Sequence, residues 1–236
     1  MNSKEPFKWR HFQKEIILLN VRWYLKYPLS YRNLESMMLE RGLKVDHSTI
    51  GRWVLTYSPE IEQRTRRYLK PTNDSWKVDE TYIKVKGKWK YLYRAVDSES
   101  NTLDFMLSAR RNKQAAYRFF KKVLKAKHNR QPRVINLDKN AAYPPAIKEL
   151  KTEKVLEEKS EIRLVKYLNN LVEQDHRGVK RITNAALGYK SFYTAWRTIR
   201  GIEIMRMIYK GQVEGVNSKD VLEEKKFIES LFGIAV

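Results

Sequence analysis

The hydrophobic period of this chain of 236 residues changes once, at Pro71-Thr72-Asn73-Asp74, and that change limits what it can fold into. Before it, apolar residues recur every three or four positions, the spacing that gives a helix one buried face. After it they alternate, the spacing that gives a strand one buried face. A single all-helical bundle and a single sheet are both excluded. The pattern calls for a helical domain over residues 1–70, a linker at 71–74 and a sheet-containing domain from residue 75.

In the first part, Phe12, Ile16, Leu19 and Trp23 share a helical stripe that Pro28 ends. Ser30 is a candidate N-cap for a second helix with Tyr31, Leu34 and Met38 on one face, stopping near Arg41-Gly42. A third helix follows Asp46, with Ile50, Trp53, Val54 and Tyr57 inward. Helix, tight turn, helix is the helix-turn-helix pattern, whose second helix presents its N-terminal residues to base edges in the major groove. His47, Ser48, Thr49 and Arg52 are then the candidate DNA-reading residues. The same pattern also suits a plain three-helix bundle that touches no DNA.

Beyond the linker, residues 76–85, 89–96 and 102–107 read as three antiparallel strands, with Gly87 in the first turn. Asn112 caps a helix with Ala116, Phe119, Phe120, Val123 and Leu124 inward. A short apolar strand follows at 133–137, then a helix at about 141–151, a strand at 162–167 and a helix from about Asn170. Three antiparallel strands followed by alternating helix and strand is the element order of the ribonuclease H-like fold. We therefore expect an α/β, retroviral-integrase-type catalytic domain over 75–210, preceded by the all-α helix-turn-helix domain. Residues 192–210 read as a closing helix with Phe192, Trp196, Ile199 and Ile202 inward and Arg197, Arg200 and Arg206 towards DNA. Residues 217–232 read as an amphipathic helix within a C-terminal segment, 211–236, available for self-association.

Composition narrows the chemistry. The absence of cysteine excludes disulfides, thiolate zinc sites and a cysteine nucleophile, so any metal is held by oxygen or by one of four histidines. No apolar run reaches the roughly 18 residues of a membrane span, and the first residues carry no signal-peptide pattern, which predicts a soluble, unexported protein. The formal net charge is +21, which points to a polyanionic partner, nucleic acid first. Residues 211–236 carry 3 basic and 5 acidic residues and make a poor DNA-binding arm.

Asp79 falls inside the first strand, Asp138 directly after the fourth, and Glu173 in the first turn of the helix after the fifth. Each alone also reads as a cap, a turn charge or a helix-dipole charge. The expected topology sets the first and fourth strands side by side, so the three acids can converge, and three carboxylates together need cations between them. Magnesium suits such hard oxygen ligands, and two ions about 3.5–4 Å apart can stabilise both the attacking and the leaving oxygen at phosphorus. Lys180 lies seven residues after Glu173, nearly two helical turns, and Arg177 lies four after it. Both are candidate holders of DNA phosphate near the cut. An ordinary Glu173-Arg177 helix pair with a solvated Lys180 accounts for the same spacing.

At these residues the sequence resembles the DDE transposases of bacterial insertion sequences, in particular the compact insertion-sequence family six. The matching segments are V-D-E-T-Y at 78–82, N-L-D-K-N at 136–140 and L-V-E-Q-D-H-R-G-V-K-R at 171–181, with 34 residues between Asp138 and Glu173. S-T-I-G-R-W-V at 48–54 resembles the family's helix-turn-helix. The resemblance implies that Asp79, Asp138 and Glu173 form the catalytic, metal-binding triad and that Lys180 is the family's basic residue after the glutamate. It also implies two Mg2+ ions with Mn2+ as substitute, and double-stranded DNA partners comprising terminal inverted repeats and target. A homodimer or higher multimer and replicative, cointegrate-forming transposition in the bacterial cytoplasm complete the expectation. A ribonuclease H-like nuclease or integrase acting on another substrate, and a DNA-binding regulator without catalysis, are the readings that stand against it.

Overall fold

In the computed structural model, residues 6–8, 11–165, 170–186 and 188–234 are described. They form two compact units. One comprises Met1–Leu69, Arg181–Leu187 and Tyr193–Val236, and the other Lys70–Lys180 and Gly188–Phe192. No described helix is long and apolar enough to cross a membrane.

The helical unit holds α1 (Lys14–Lys26), α2 (Tyr31–Glu40), α3 (His47–Thr65), α7 (Phe192–Tyr209) and α8 (Val221–Leu231). Ser30 closes a capping box on α2 with Asn33, and the Asp46 carboxylate accepts from the Ser48 N–H at the start of α3. Between α2 and α3, Gly42 takes φ 74°, a turn that a side chain would strain. Of the inward residues expected on α2 and α3, Leu34, Met38, Ile50, Val54 and Tyr57 are fully buried and Trp53 nearly so, while Tyr31 is half-buried.

For α1 the expected face is wrong. Phe12, Ile16, Leu19 and Trp23 are half-buried, whereas Ile17, Leu18, Val21 and Leu25 are fully buried. α7 departs in the same way, since Ile199 and Ile202 are buried but Phe192 and Trp196 are more than a third exposed. Its arginines are held by the protein. Arg197 donates to the Leu55 carbonyl, and Arg200 reaches the buried Glu62 carboxylate at 2.9 Å, while Arg206 is half-buried. α8 buries Glu224, which pairs with Lys26 at 2.7 Å.

The other unit is built on β1 (Ser75–Val85), β2 (Lys88–Asp97), β3 (Thr102–Ser108), β4 (Val134–Leu137) and β5 (Glu161–Leu164). Their order in the sheet is β3-β2-β1-β4-β5. The first three are antiparallel, and β4 and β5 add in parallel on the other side of β1. The connections are helical, α4 (Lys113–Lys125) before β4 and α5 (Tyr143–Thr152) before β5, as parallel neighbours require. This is the ribonuclease H-like arrangement. β5 ends at Leu164, and residues 166–167 of the strand expected there lie outside the described residues.

One face of the sheet carries Trp76, Val78, Tyr93 and Ala95, which pack with Phe119, Phe120 and Val123 of α4 and Tyr143, Ile147 and Leu150 of α5. α6 (Asn170–Ala185) sets Asp175 against Arg94, whose Cα pairs with that of Asp79 and which therefore shares the opposite face.

Candidate active site

β4 is only four residues long and pairs with Ser75–Val78, so it stops one residue short of Asp79. The chain leaving it brings Asp138 to the place where β1 carries Asp79 and Glu80. One carboxylate oxygen of each of these three residues lies within 4.8 Å of the others. Two of the expected acids, Asp79 and Asp138, are thus brought together directly.

Glu80 is the surprise. As a neighbour of Asp79 it invites reading as an exposed turn charge, yet it is 8% exposed, because it points to the face covered by α4 and α5. Burial pushes its carboxyl above the ordinary carboxylate range, against the pull of the Arg111 guanidinium. Asn140 donates to its Oε1 at 2.9 Å, and the Asn140 N–H in turn donates to Asp138 Oδ1 at 3.0 Å, closing the turn that aims Asp138. Arg111 donates to Glu80 Oε2 at 3.3 Å and to Asp138 Oδ2 at 3.1 Å, a cation seated between two acids.

Glu173 is exposed in the first turn of α6. It lines an open cleft of about 530 Å³ together with Asp79, Glu80, Tyr82, His176, Arg177 and Lys180. The three expected acids and both expected phosphate-holding residues therefore belong to one region of this unit. Arg177 and Lys180 are exposed, two turns of α6 apart from Glu173 at most.

His176, which the sequence reading passed over, holds Asp79 in place. Its Nε2 is 3.2 Å from Asp79 Oδ2, and its Nδ1 is 3.5 Å from the guanidinium of Arg94. A guanidinium can only donate, so Nδ1 accepts, and the ring proton sits on Nε2 and is donated to Asp79. Arg94 is fully buried and bonded to Asp175 at 2.6 Å. The signal was present in the sequence: His176 follows Glu173 by three positions, which places both on one side of α6.

The donor set fits a divalent cation. The oxygens are hard ligands, close enough to share an ion, and Glu80 and Asp138 already take a positive group between them. Asp79, Glu80 and Asp138 are the residues placed to hold it, and Glu173 lines the cleft beside them.

The residues expected to read DNA lie on the other unit. Ser48 and Arg52 are exposed, and His47 and Thr49 are half-buried. His47 Nδ1 is 3.1 Å from Glu35 Oε2, and Arg52 donates to Thr49 Oγ1 at 2.8 Å.

A family model for the DDE domain of IS240-type transposases matches residues 73–212. The chain is 41% identical, over 86% of its length and 88% of the relative's, to the transposase for insertion sequence-like element IS431mec of Staphylococcus aureus strain Mu50. It is 40% identical over the same shares to the transposase for insertion sequence element IS257 in transposon Tn4003 of Staphylococcus aureus. Among solved structures, the HTLV-2 integrase catalytic core domain in complex with magnesium is similar at 17% identity and TM-score 0.45. That likeness covers 62% of this chain and 90% of that one.

Proposed function

The chain belongs to the bacterial DDE transposases of insertion-sequence family six, and from that premise we propose that it cuts DNA at the terminal inverted repeats of an insertion sequence and joins the freed ends to target DNA. The observation that carries this reading is the convergence of Asp79 and Asp138 at the end of β4, with Glu173 on the same cleft.

In this reading Asp79, Asp138 and Glu173 are the catalytic acids and hold two Mg2+ ions, Mn2+ serving as substitute. When bound there, such ions would supply polarisation of the scissile phosphodiester and stabilisation of the deprotonated nucleophile. The protein's own work is positional. Asp138 is aimed by the Asn140 turn, and Asp79 is oriented by the Nε2–H of His176. Arg111, seated on Glu80 and Asp138, screens their mutual repulsion. Lys180 and Arg177 hold the phosphates flanking the cut, adding affinity without base information. One site serves two nucleophiles: water frees a 3′-OH, and that 3′-OH then attacks the target strand.

Choice of DNA falls to the helical unit, with His47, Ser48, Thr49 and Arg52 at the start of α3 facing the major groove. The division into a reader over 1–70, a linker over 71–74, a catalytic domain over 75–210 and a C-terminal segment over 211–236 used in self-association belongs to the same reading. So do a multimer that pairs two ends, a cointegrate product, and action on DNA in the bacterial cytoplasm.

The test is strand-specific cleavage of a duplex carrying the element's own end, in magnesium, comparing the unaltered chain with Glu173→Gln. Cleavage and joined products lost by at least about a thousandfold, with duplex binding kept, is the expected result. Equal cleavage by both proteins would overturn the assignment.

A further inference from the structure

Past the acids, β1 and β2 continue as a two-stranded ribbon that turns at Lys86 and Gly87, with φ 49° and 73°. Both central residues of this two-residue turn have positive φ, the geometry that matches the twist of the strands and holds the ribbon stiff. The pairings Tyr82 with Tyr91 and Lys84 with Trp89 put these four residues on one face. Nearer the middle of the sheet that face is covered by α4 and α5, but here its aromatic rings stand open. Trp89 is 60% exposed and Tyr82 47%, with ring centroids 6.4 Å apart and nearly perpendicular, and Tyr91 lies 5.6 Å from Tyr82.

The ribbon is also basic. Lys84, Lys86 and Lys88 are exposed, Lys90 is half-buried, and no acid occurs between Thr81 and Val96. Exposed aromatic rings among cations are costly for a surface meant to meet only water, and they match a ligand that has flat apolar faces and negative charge in one strand. The platform is continuous with the acid cleft, since Tyr82 lines that cleft with Asp79 and Glu173. Lys84 and its partner Trp89 lie five residues further along, roughly 17 Å from Asp79.

We propose that this face binds a single DNA strand, stacking unpaired bases on Tyr82 and Trp89 while Lys84, on the same face, meets its phosphates, so that nucleotides beside the cut are held out of the duplex. The proposal rests on the DNA substrate of the proposed function and adds a contact that no acid or helix-turn-helix residue provides. Stacking on an exposed ring tolerates any base and needs none of the hydrogen bonds of sequence readout. Holding the strand open would keep the cut end from re-pairing until it is joined.

The full chain would be titrated with a fluorescent 15-nucleotide oligo-dT and with an abasic oligomer of equal length, which offers phosphates but no bases. The chain is expected to bind oligo-dT about tenfold more tightly than the abasic strand. Trp89→Ala, alone and with Tyr82→Ala, should bring the two affinities together by weakening only the dT complex, and Trp89→Phe should retain most of the preference. Lys84→Ala should weaken both complexes and flatten their salt dependence. A preference unchanged in Trp89→Ala, or absent from the unaltered chain, overturns the proposal. So does an unaltered chain without preference whose sedimentation changes on Trp89→Ala, which would make the face a contact between copies. Base preference that depends on Trp89, in a chain that fails to cleave its end duplex in magnesium, supports this face while removing the proposed function.

Discussion

Removing the carboxylate of Asp175 should destabilise the chain more than any surface change and should do so through Arg94. The Arg94 side chain is 0% exposed and that of Asp175 is 7%, with 2.6 Å between their charged atoms. Taking one partner from a buried pair strands the other charge away from water, at a cost of about 3–5 kcal/mol. For a chain of this size each kcal/mol moves the thermal midpoint by roughly 2–4 °C, so Asp175→Ala should melt about 6–20 °C lower. The cost comes from a buried charge that has lost its carboxylate, so removing both charges should restore most of it. Arg94→Met with Asp175→Leu should melt within about 1.5 kcal/mol of the unaltered chain. The double variant should still cut poorly, by about 10–100-fold, because His176 loses the donor that fixes its proton on Nε2 and Asp79 loses its fixed orientation. Melting followed by circular dichroism, with cleavage rates on the same preparations, separates the two effects. A midpoint for Asp175→Ala within about 1 kcal/mol of the parent, or a double variant that cuts at full rate, refutes the reasoning.

Two further outcomes follow from the helical unit. At Gly201 an added Cβ would lie 2.7 Å from Leu25 Cδ1 and from Ser58 Cβ and Oγ. Gly201→Ala should therefore cost about 1–3 kcal/mol in urea unfolding, despite the better helix propensity of alanine, and an unchanged or raised midpoint would show that the contact relaxes. The Asp46 carboxyl is held below its ordinary value by the Ser48 hydroxyl and N–H at the cap of α3. Its stabilisation is full above the ordinary aspartate value and is lost as pH falls through the lowered one. The stability gap between the chain and Asp46→Ala should close only in strong acid, and a gap that closes near neutrality contradicts the cap.

How much of this was legible in the sequence depended on whether a side chain had one neighbour to answer to or several. The strands of the meander, the caps at Ser30 and Asn112, the start of α3 after Asp46, and most of the inward stripes of α2 and α3 are local matters, and each stands where its pattern put it. α1 was found as a helix with the wrong face inward, and α7 as a helix with only half of its expected face, Ile199 and Ile202, inward. On α1 Ile17, Asn20, Val21, Arg22 and Tyr24 are all buried, and on α7 the buried set runs from Ala195 through Ile204 to Ile208. A helix covered on more than one side has no single stripe for periodicity to report. The arginines of α7 looked like DNA ligands because nothing local opposed their charge. Their actual partners, the Leu55 carbonyl and Glu62, lie well over a hundred residues earlier. In the site, Asp79 and Asp138 could be read from strand ends, but Glu80 could not, since alternation alone does not say which face a given strand position will bury. His176 needed the knowledge that α6 meets the sheet through Arg94.

The shortness of β4 has a consequence for how this chain tolerates change. Four residues carry the backbone from the start of β1 to the acids, and successive residues of a strand point to opposite sides. A single residue inserted between Val134 and Leu137 would turn Asp138 away from Asp79, and two would carry it past. The strand is therefore a gauge: apolar substitution along it is cheap to repair by repacking, but a change of length has no nearby remedy. Variation in this stretch should appear as altered letters, and gains or losses of residues should collect in the loops on either side.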